Sequence, residues 1–444
     1  MMEKCCLELK TYFKLIGCKH LIVCLSFCSM SFFISMCARQ YYSYPTQTSV
    51  QIRLESGMNF PAVTICSGNP FRYDKIRMPL NYYIVQNNIS SDPTSMTYFQ
   101  SVSAMFNFIL ELFNENNIDQ IRSYGFQLDD ILLNCTYNGI DCLHNSNKVF
   151  VESISITLGN CYTFNAKTLT QSLYKINDIE KGLILENGLV LTLYINSELY
   201  TPIYNYGIGL TAMVHDNVQL PLVKSLGNHF QPGMEHQIIY RKSEVTYLGS
   251  PFTPCTTTIS ADMQALYSTL FGDAQYDYSQ SICYELCQQT YIYQQCQCVL
   301  PVYFYIKSLM INDQLISVNA CYIGTEQEMC AYRAKQTFVN NISLQVKSCI
   351  RCQQQCQIVT FDTDITALKG PTTAQKQFLY QSVFSQNTTI PLQADFQTNY
   401  DSYIDNNYLK LTVICGSQYV TTYQEKTVYT WTALLSDIGG QSGL

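Results

Sequence analysis

The sequence predicts a membrane protein whose one complete apolar helix, near the N-terminus, precedes a large, disulfide-rich ectodomain of mixed α and β structure. Eighteen uncharged residues, 21–38, form the one long apolar run, and about twenty helical residues cross a bilayer core. Six of the 21 cysteines lie in or before this run, which leaves fifteen beyond it. The 35 tyrosines and 22 phenylalanines favour strands, because aromatic side chains fit a half-buried pleated surface.

Composition and motif content exclude two broad classes of function. The formal net charge is -7 on only 13% charged residues, whereas a nucleic-acid-binding protein normally carries a clustered basic face. The sequence has no HExxH, GxSxG or phosphate-loop motif, so we predict no enzyme activity, no cofactor and no metal. His215 lies on a strand-like run and is predicted to be packed or capped. The five histidines lie far apart in sequence: His20, His144, His215, His229 and His236.

Lysines before the apolar run predict the orientation of the chain. Four of them lie in a short leader: Lys4, Lys10, Lys14 and Lys19. Positive side chains accumulate on the cytoplasmic side of a membrane. We therefore predict a cytoplasmic N-terminus over residues 1–20, a first transmembrane helix over residues 21–39 and an extracellular domain over residues 40–430, at the plasma membrane.

A cleaved signal peptide is an alternative interpretation of the same run, since Ser35 and Cys37 could serve as the small residues before a cleavage site. The chain would then be a secreted, disulfide-rich binding protein with its mature N-terminus at or after Ala38. The length of the run favours a retained helix, because most signal cores are shorter.

Sequons and cysteines indicate a secretory route for the remainder of the chain. N-glycosylation takes place in the secretory lumen, and disulfides persist in the same oxidising compartments. The odd number of cysteines leaves at least one of them unpaired. The four sequons begin at Asn88, Asn134, Asn341 and Asn387.

Local patterns predict a β scaffold with inserted helices. Residues 60–66, 189–196 and 207–216 are strand-like runs separated by turn residues. Residues 96–121 space their apolar side chains three and four apart, which predicts one amphipathic helix. Residues 361–387 are polar and predict mixed helix and loop. Residues 408–430 return to β-like alternation.

A cysteine-dense segment, residues 281–356, holds nine of the fifteen cysteines beyond the apolar run. Spacings such as Cys283-x3-Cys287 and Cys296-x-Cys298 could ligate zinc, which favours four thiolate or imidazole ligands. An oxidising compartment converts such clusters to disulfides. We therefore interpret the segment as a disulfide-stapled module.

Four motifs, in order along the chain, resemble those of one known family. They are FPAVTICSGNPFR at residues 60–72, segment 133–142 with GNCYTFN at residues 159–165, the cysteine pattern at residues 283–298, and LSDIGGQSGL at residues 435–444. Together they resemble the degenerin and epithelial sodium channel superfamily, which also includes acid-sensing and peptide-gated channels. The resemblance covers nearly the whole chain.

The resemblance implies the architecture and disulfide pairing of the ectodomain. The family's ectodomain has palm, finger, thumb and β-ball parts, and residues 281–356 would be the thumb, a stiff lever above the membrane. Tyr41 and Tyr42 could relay its movement to the first helix, or could be interfacial aromatics. The family's pairing leaves Cys415 over. The implied bonds are Cys66–Cys161, Cys135–Cys142, Cys255–Cys356, Cys283–Cys352, Cys287–Cys349, Cys296–Cys330 and Cys298–Cys321.

The C-terminal motif resembles the start of the family's pore-lining second helix, residues 431–444. Ser436 falls at the family's degenerin position, where a small side chain permits close helix approach, and Asp437 begins a constriction where a carboxylate ring attracts cations. Small residues let helices cross closely in lipid. The alternative is a glycine-rich helix start with a capping aspartate. The implied pore and gate residues are Ser436, Asp437, Gly439, Gly440, Gln441 and Gly443.

Two departures from the family pattern bear on gating. The family's cytoplasmic His-Gly pair is Ile16-Gly17 here, so the contribution of that histidine is lost. Acid-sensing relatives carry a histidine pair just after the first helix, where this chain reads QYYSYPTQ at residues 40–47. Because histidine titrates near neutral pH, its absence argues against proton gating.

The resemblance therefore implies one subunit of a homo- or hetero-trimeric, sodium-selective, amiloride-sensitive cation channel embedded in membrane lipid. The stimulus could be an extracellular peptide, a mechanical force or protons, or the channel could open constitutively; of these we expect a peptide ligand or a constitutive mode of opening. Leu444 precedes the expected selectivity filter, so we expect a chain truncated within its second helix. The alternative function is a non-conducting, membrane-tethered receptor or dominant-negative regulatory subunit.

Overall fold

The computed structural model describes residues 23–143, 149–155, 157–176, 188–202, 207–272, 274–301, 304–385 and 390–442. The chain divides into two compact units. The smaller unit comprises Met1–Gln51, Val245–Cys255 and Thr422–Leu444, and the larger unit comprises Ile52–Glu244 and Thr256–Thr421.

Helices and strands alternate along the described residues. The helices are α1 (Val23–Tyr42), α2 (Tyr73–Gln86), α3 (Tyr98–Asn114), α4 (Ile118–Tyr124), α5 (Leu128–Ile131), α6 (Val223–Leu226), α7 (Ala261–Leu270), α8 (Gln280–Cys296), α9 (Glu326–Asn340), α10 (Ile342–Ser348), α11 (Thr373–Ser385), α12 (Phe396–Asn407) and α13 (Trp431–Ser442). The strands are β1 (Thr46–Leu54), β2 (Ala62–Ser67), β3 (Leu132–Tyr137), β4 (Ile140–Asp141), β5 (Phe150–Ser155), β6 (Gly159–Phe164), β7 (Leu189–Tyr194), β8 (Leu210–His215), β9 (Asn228–Phe230), β10 (Met234–Thr246), β11 (Cys255–Thr256), β12 (Ser308–Ile311), β13 (Gln314–Ser317), β14 (Gln354–Gln355), β15 (Gln357–Lys369), β16 (Tyr408–Cys415) and β17 (Tyr419–Thr427).

A five-stranded antiparallel sheet in the larger unit has the order β5-β6-β2-β8-β9. Every residue of β2 and β6 is buried, so polar side chains on these strands must find partners inside. Thr64 on β2 does so, because its Oγ1 lies 2.8 Å from Thr163 Oγ1 on β6 and 2.7 Å from His215 Nε2 on β8. The predicted strand-like runs at residues 60–66 and 207–216 are therefore neighbours.

A second sheet orders β10, β16, β7, β3 and β4 side by side, and β15 also pairs with β10. Strands β10 and β16 are parallel, whereas β16 and β7 are antiparallel. Leu409, Leu411 and Val413 alternate along β16 and are fully buried, which is the period-two pattern of a strand with one face on the core. Strands β1, β10 and β17 have residues in both units.

The single helix predicted over residues 96–121 is wrong, because two helices occupy this stretch. Helix α3 begins after Thr97, whose hydroxyl accepts a hydrogen bond from Gln100 N while the Gln100 side chain bonds back to Thr97 N. This capping box satisfies backbone donors that a helix start leaves open. Asn116, with φ of 67°, ends the run in a left-handed conformation that asparagine tolerates, and α4 then starts anew.

The polar stretch 361–387 is also more regular than predicted. It contains the larger part of the thirteen-residue strand β15 and the whole of helix α11. Strand β15 lacks a sustained apolar alternation because it is largely exposed, so periodicity could not identify it. The prediction of β structure for residues 408–430 is confirmed by β16 and β17.

The cysteine-dense segment folds as three helices and a hairpin within the larger unit. Two bonds join α8 to the turn after α10, namely Cys283–Cys352 and Cys287–Cys349. A third, Cys296–Cys330, joins α8 to α9. Their thiols are covalently paired, so the zinc interpretation of this segment is wrong for these residues.

Candidate gate region

Helix α1 is the one described helix that is long and apolar enough to span a membrane. Its large apolar side chains are mostly exposed within the chain, for example Phe27 at 68% and Phe32 at 64%. Contiguous apolar surface of this kind marks contact with lipid or with another chain. The helix continues to Tyr42, three residues beyond the predicted end.

Tyr44, just past α1, packs against the loop that precedes Cys255. Its ring makes a T-shaped contact with Phe252, with centroids 5.3 Å apart, and Val428 N donates to the neighbouring Pro45 O at 2.9 Å. All of these residues belong to the smaller unit. The Tyr41 and Tyr42 rings each lie 6.4 Å, centroid to centroid, from the Tyr44 ring. The expected relay of movement through Tyr41 and Tyr42 remains a prediction.

Glu425 on β17 forms hydrogen bonds with the loop at residues 248–253. Its carboxylate accepts hydrogen bonds from Leu248 N at 2.9 Å and from Thr253 Oγ1 at 2.5 Å. Burial acts to raise the pKa of Glu425, but these bonds and one from Thr46 prevail and lower it. The carboxylate therefore stays ionised at neutral pH and holds the loop through charge-assisted hydrogen bonds.

Asp437 lies one and a half turns into α13 and has a partner in its own chain. Tyr429 Oη donates to Asp437 Oδ2 at 2.5 Å, and this bond raises the pKa of Tyr429. Ser436 and Asp437 are both exposed. We call residues Tyr44, Pro45, Leu248, Phe252, Thr253, Glu425, Tyr429 and Asp437 the gate region.

Two glycines, Gly439 and Gly440, lie within helix α13. A Cβ built on Gly439 or Gly440 meets nothing within 4 Å. Gln441 lies in the last turn of the helix, while Gly443 is outside the described residues. The role of these residues in close helix crossing stays a prediction.

The remaining predicted sites are the cytoplasmic pair and the sequon asparagines. Of these, Ile16, Gly17 and Asn387 lie outside the described residues. The other sequon asparagines, Asn88, Asn134 and Asn341, are exposed. The side chain of Asn341 also caps α10 by accepting from Leu344 N at 3.0 Å.

Six disulfides have the pairing that the resemblance implied. Besides the three bonds already described, Cys66–Cys161, Cys135–Cys142 and Cys298–Cys321 are formed, and Cys255 and Cys356 are each disulfide-bonded. Cys415 is a free thiol, as expected. Burial raises its pKa, which keeps it protonated and poorly nucleophilic.

Sequence comparisons agree with the geometry. A family model described as amiloride-sensitive sodium channel matches residues 20–444. Acid-sensing ion channel 2 from Danio rerio is 25% identical over 423 residues, covering 91% of this chain and 70% of that protein. Acid-sensing ion channel 1 from Gallus gallus is 24% identical over 425 residues, with coverages of 91% and 71%.

The fold and these relatives define an ion channel subunit, not an enzyme. The chain belongs to the amiloride-sensitive sodium channel family. The membrane-protein fold class with a disulfide-rich ectodomain is thereby confirmed.

Sequence reasoning missed most of the gate region. Phe252 and Glu425 carry no motif of their own, and their contacts join segments that are far apart in sequence, 177 residues for Leu248 and Glu425. The one signal in the sequence was the aromatic cluster at residues 41–44, from which Tyr41 and Tyr42 were chosen and Tyr44 was not.

Proposed function

We propose that this chain is one subunit of a trimeric, sodium-selective, amiloride-sensitive cation channel opened by an extracellular stimulus. The observation that carries the proposal is the gate region. Tyr44, just past α1, contacts Phe252, and Glu425 bonds to the same loop. The chain continues from Glu425 through the end of β17 to Tyr429, which donates to Asp437 on α13. A movement of the loop at residues 248–253 would therefore reach both helices.

Asp437 is the cation-attracting group in this proposal. Its hydrogen bond with Tyr429 holds the carboxylate at a fixed place on α13, and three copies around one axis would form a negative ring. Gly439 and Gly440 follow two and three residues later, and a Cβ at either would meet nothing within 4 Å, which suits close approach by equivalent helices of other subunits. Helix α1 would then face lipid with its exposed apolar side chains.

Recording from the full-length subunit tests the pore assignment. Asp437→Asn removes the charge and keeps the shape, so we expect single-channel sodium current to fall at least about twofold, because a ring of like charge concentrates counter-ions. Asp119→Asn, on an exposed turn of the larger unit, is the matched control and should leave the current unchanged. Equal currents in the wild type and Asp437→Asn would remove Asp437 from the ion path.

Occupancy of the degenerin position is tested by Ser436→Trp. A bulky side chain at a close helix crossing prevents closure, so this variant should carry a larger resting current that amiloride blocks. A variant that reaches the cell surface and carries no added current would contradict the assignment. If the wild type also carries no current although it reaches the cell surface normally, the alternative of a non-conducting receptor would be favoured.

An extracellular peptide or a constitutive mode is the stimulus we favour. The relatives found are named for acid sensing, but residues 40–47 contain no histidine. His215 is buried and neutral, since burial lowers its pKa to about 4. A step from pH 7.4 to pH 6 should therefore evoke no current, and a rapid transient current would overturn this choice.

The proposed topology places residues 1–20 in the cytoplasm and the larger unit outside the cell. The exposed sequon asparagines Asn88, Asn134 and Asn341 support this orientation, because glycans are added only in the secretory lumen. Glycosidase treatment of the expressed protein should lower its apparent mass. An unchanged mass would count against an extracellular larger unit.

A further inference from the structure

A cavity of about 600 Å³ opens on the larger unit beside the five-stranded sheet. Its walls come from the turn before β6, the start of β8, the strand β9 and the start of β10. The volume lies in the range of roughly 300–1,000 Å³ that small-molecule sites occupy. None of the residues of the gate region lines it.

The floor of the cavity is apolar. Leu158, Leu210 and Phe230 are buried against it. No Asp or Glu occurs among the thirteen described lining residues. Such a site accepts an apolar body and offers no repulsion to an anion.

Thr157 supplies a buried hydroxyl at this wall. The residue is only 8% exposed, and its Oγ1 has no hydrogen-bond partner among the residues that the structure describes. A buried hydroxyl without a partner costs about 1–3 kcal/mol, so most native structures satisfy such groups. The oxygen has almost no accessible surface, so a ligand acceptor in the cavity would satisfy it once the Thr157 side chain turns toward that space.

Three nitrogen-bearing side chains surround the same space: Lys224, His229 and His236. His236 Nε2 donates to Gln231 O at 2.8 Å, and its ring lies edge-on to Phe230. The His229 ring is held by a 3.0 Å contact between its Nδ1 and Thr211 Oγ1. Both imidazoles are thus fixed in orientation before any ligand arrives.

Lys224 supplies the positive charge at the mouth of the cavity. Partial desolvation and the nearby Lys335 ammonium lower its pKa, while Glu285 acts in the opposite direction. An anion beside Lys224 would reduce the repulsion between the two ammonium groups. The electrostatics of the mouth therefore favour a negative ligand.

We propose that this cavity binds a carboxylate carried on a short apolar body, with the carboxylate at Lys224, His229 and the Thr157 hydroxyl and the apolar part over Leu158, Leu210 and Phe230. Such a group is found on a free carboxylic acid and on the C-terminal residue of a peptide. The proposal rests on the proposed function in one respect, because an extracellular larger unit gives a circulating ligand access.

Binding to the purified full-length protein in nanodiscs tests the proposal without any current measurement. The probe is 3-phenylpropionate, and its neutral isostere 3-phenylpropionamide is the control ligand; both are titrated by calorimetry. We expect the acid to bind at least about tenfold more tightly than the amide, since a hydrogen bond to a charged group is worth roughly twice a neutral one. Equal affinities, or no binding of the acid, would overturn the proposal.

Variants connect the binding to this cavity. Thr157→Val keeps the side-chain shape and removes the hydroxyl, and His229→Gln alters an exposed ring that tolerates substitution. Each should weaken acid binding about fivefold or more, because a charge-assisted hydrogen bond is lost, while Lys347→Gln on α10 should leave it unchanged. If both cavity variants keep their unfolding temperature and bind the acid like the wild type, the ligand lies elsewhere and the proposal fails.

A second pair of probes separates the two sources of the carboxylate. N-acetyl-Gly-Phe acid is compared with its C-terminal amide and with 3-phenylpropionate. Tighter binding of the peptide acid than of 3-phenylpropionate assigns the site to peptide C-termini, and the reverse order assigns it to free acids. Failure of every acid refutes the cavity proposal alone, since the channel current is measured independently.

Discussion

At the scale of single residues, His215 shows how burial fixes a protonation state. Its Nδ1 donates to Asp216 O at 2.9 Å, so Nε2 of the neutral ring accepts from Thr64. Desolvation lowers its pKa to about 4, while an exposed histidine in the unfolded chain titrates near 6.5. Between these values the unfolded state binds more protons, so stability is full above about pH 6.5 and is lost as the pH falls.

His215→Gln should therefore flatten the pH dependence of stability. From these pKa values, protonation linkage destabilises the wild type by about 2 kcal/mol between pH 7 and pH 5. Thermal unfolding followed by circular dichroism at the two pH values measures the loss. A His215→Gln variant that keeps the wild-type slope would contradict the assignment.

At the scale of elements, the sequence predicted strands and helices best where one face is buried. β2, β7 and β8 are apolar and lie where they were expected. β10 and β15 were missed because long, partly exposed strands carry charged residues such as Arg241 and Asp364. These two side chains form an ion pair at 2.8 Å across the strands, a contact that only the tertiary pairing creates.

Disulfides define the rigidity of the cysteine-dense segment. Cys287 and Cys349 close a loop of 62 residues, and such a bond stabilises by roughly 2–4 kcal/mol through the unfolded chain. The double variant Cys287→Ala with Cys349→Ala should lower the unfolding midpoint by several degrees under non-reducing conditions. Cys415→Ala, which removes a free thiol, should change it much less. Similar midpoints for both variants would show that this bond contributes little.

The contact between the first helix and the loop at residues 248–253 gives a second prediction at this scale. Tyr44→Ala and Phe252→Ala each remove the same aromatic pair, worth about 1 kcal/mol, so either should shift the open-closed equilibrium about fivefold in single-channel records. The double variant should shift it no further. Phe99→Ala, an exposed aromatic of α3, provides the control, and additive effects of the two changes would mean that Tyr44 and Phe252 act separately.

At the scale of the whole molecule, the sequence motifs were enough to predict the family. The contacts of the gate region are visible only in the folded structure. Six of the disulfide pairs that the resemblance implied are present in the structure. The links through Glu425 and Tyr44 could not be predicted, since nothing in a local pattern specifies which distant loop a side chain meets. Asp437 was chosen from its motif, but its partner Tyr429 was not.

Two of the family motifs are in direct contact in space. Cys66 pairs with Cys161, and Asn165 Nδ2 donates to Phe60 O. Gly159 has φ of +67°, and a Cβ there would collide with the backbone of Pro70. The second motif therefore has no room for a side chain where it crosses the first.

Gly159→Ala should consequently destabilise the protein by at least about 3 kcal/mol, because a strained backbone is combined with a collision against the main chain. Gly139→Ala is the matched control: its φ is +76°, and nothing lies within 4 Å of a Cβ there. That change should cost only about 1–2 kcal/mol. Equal losses, measured by thermal unfolding, would show that the collision is relieved by movement of Pro70.

The contact between Gly159 and Pro70 also governs how related chains can be recombined. A chimera that exchanges residues 60–72 without residues 159–165 combines motifs from two different chains, which need not fit each other. A chimera that exchanges both motifs keeps the contact within one parental sequence. Although the two motifs lie 87 positions apart at their closest, they should therefore be exchanged together.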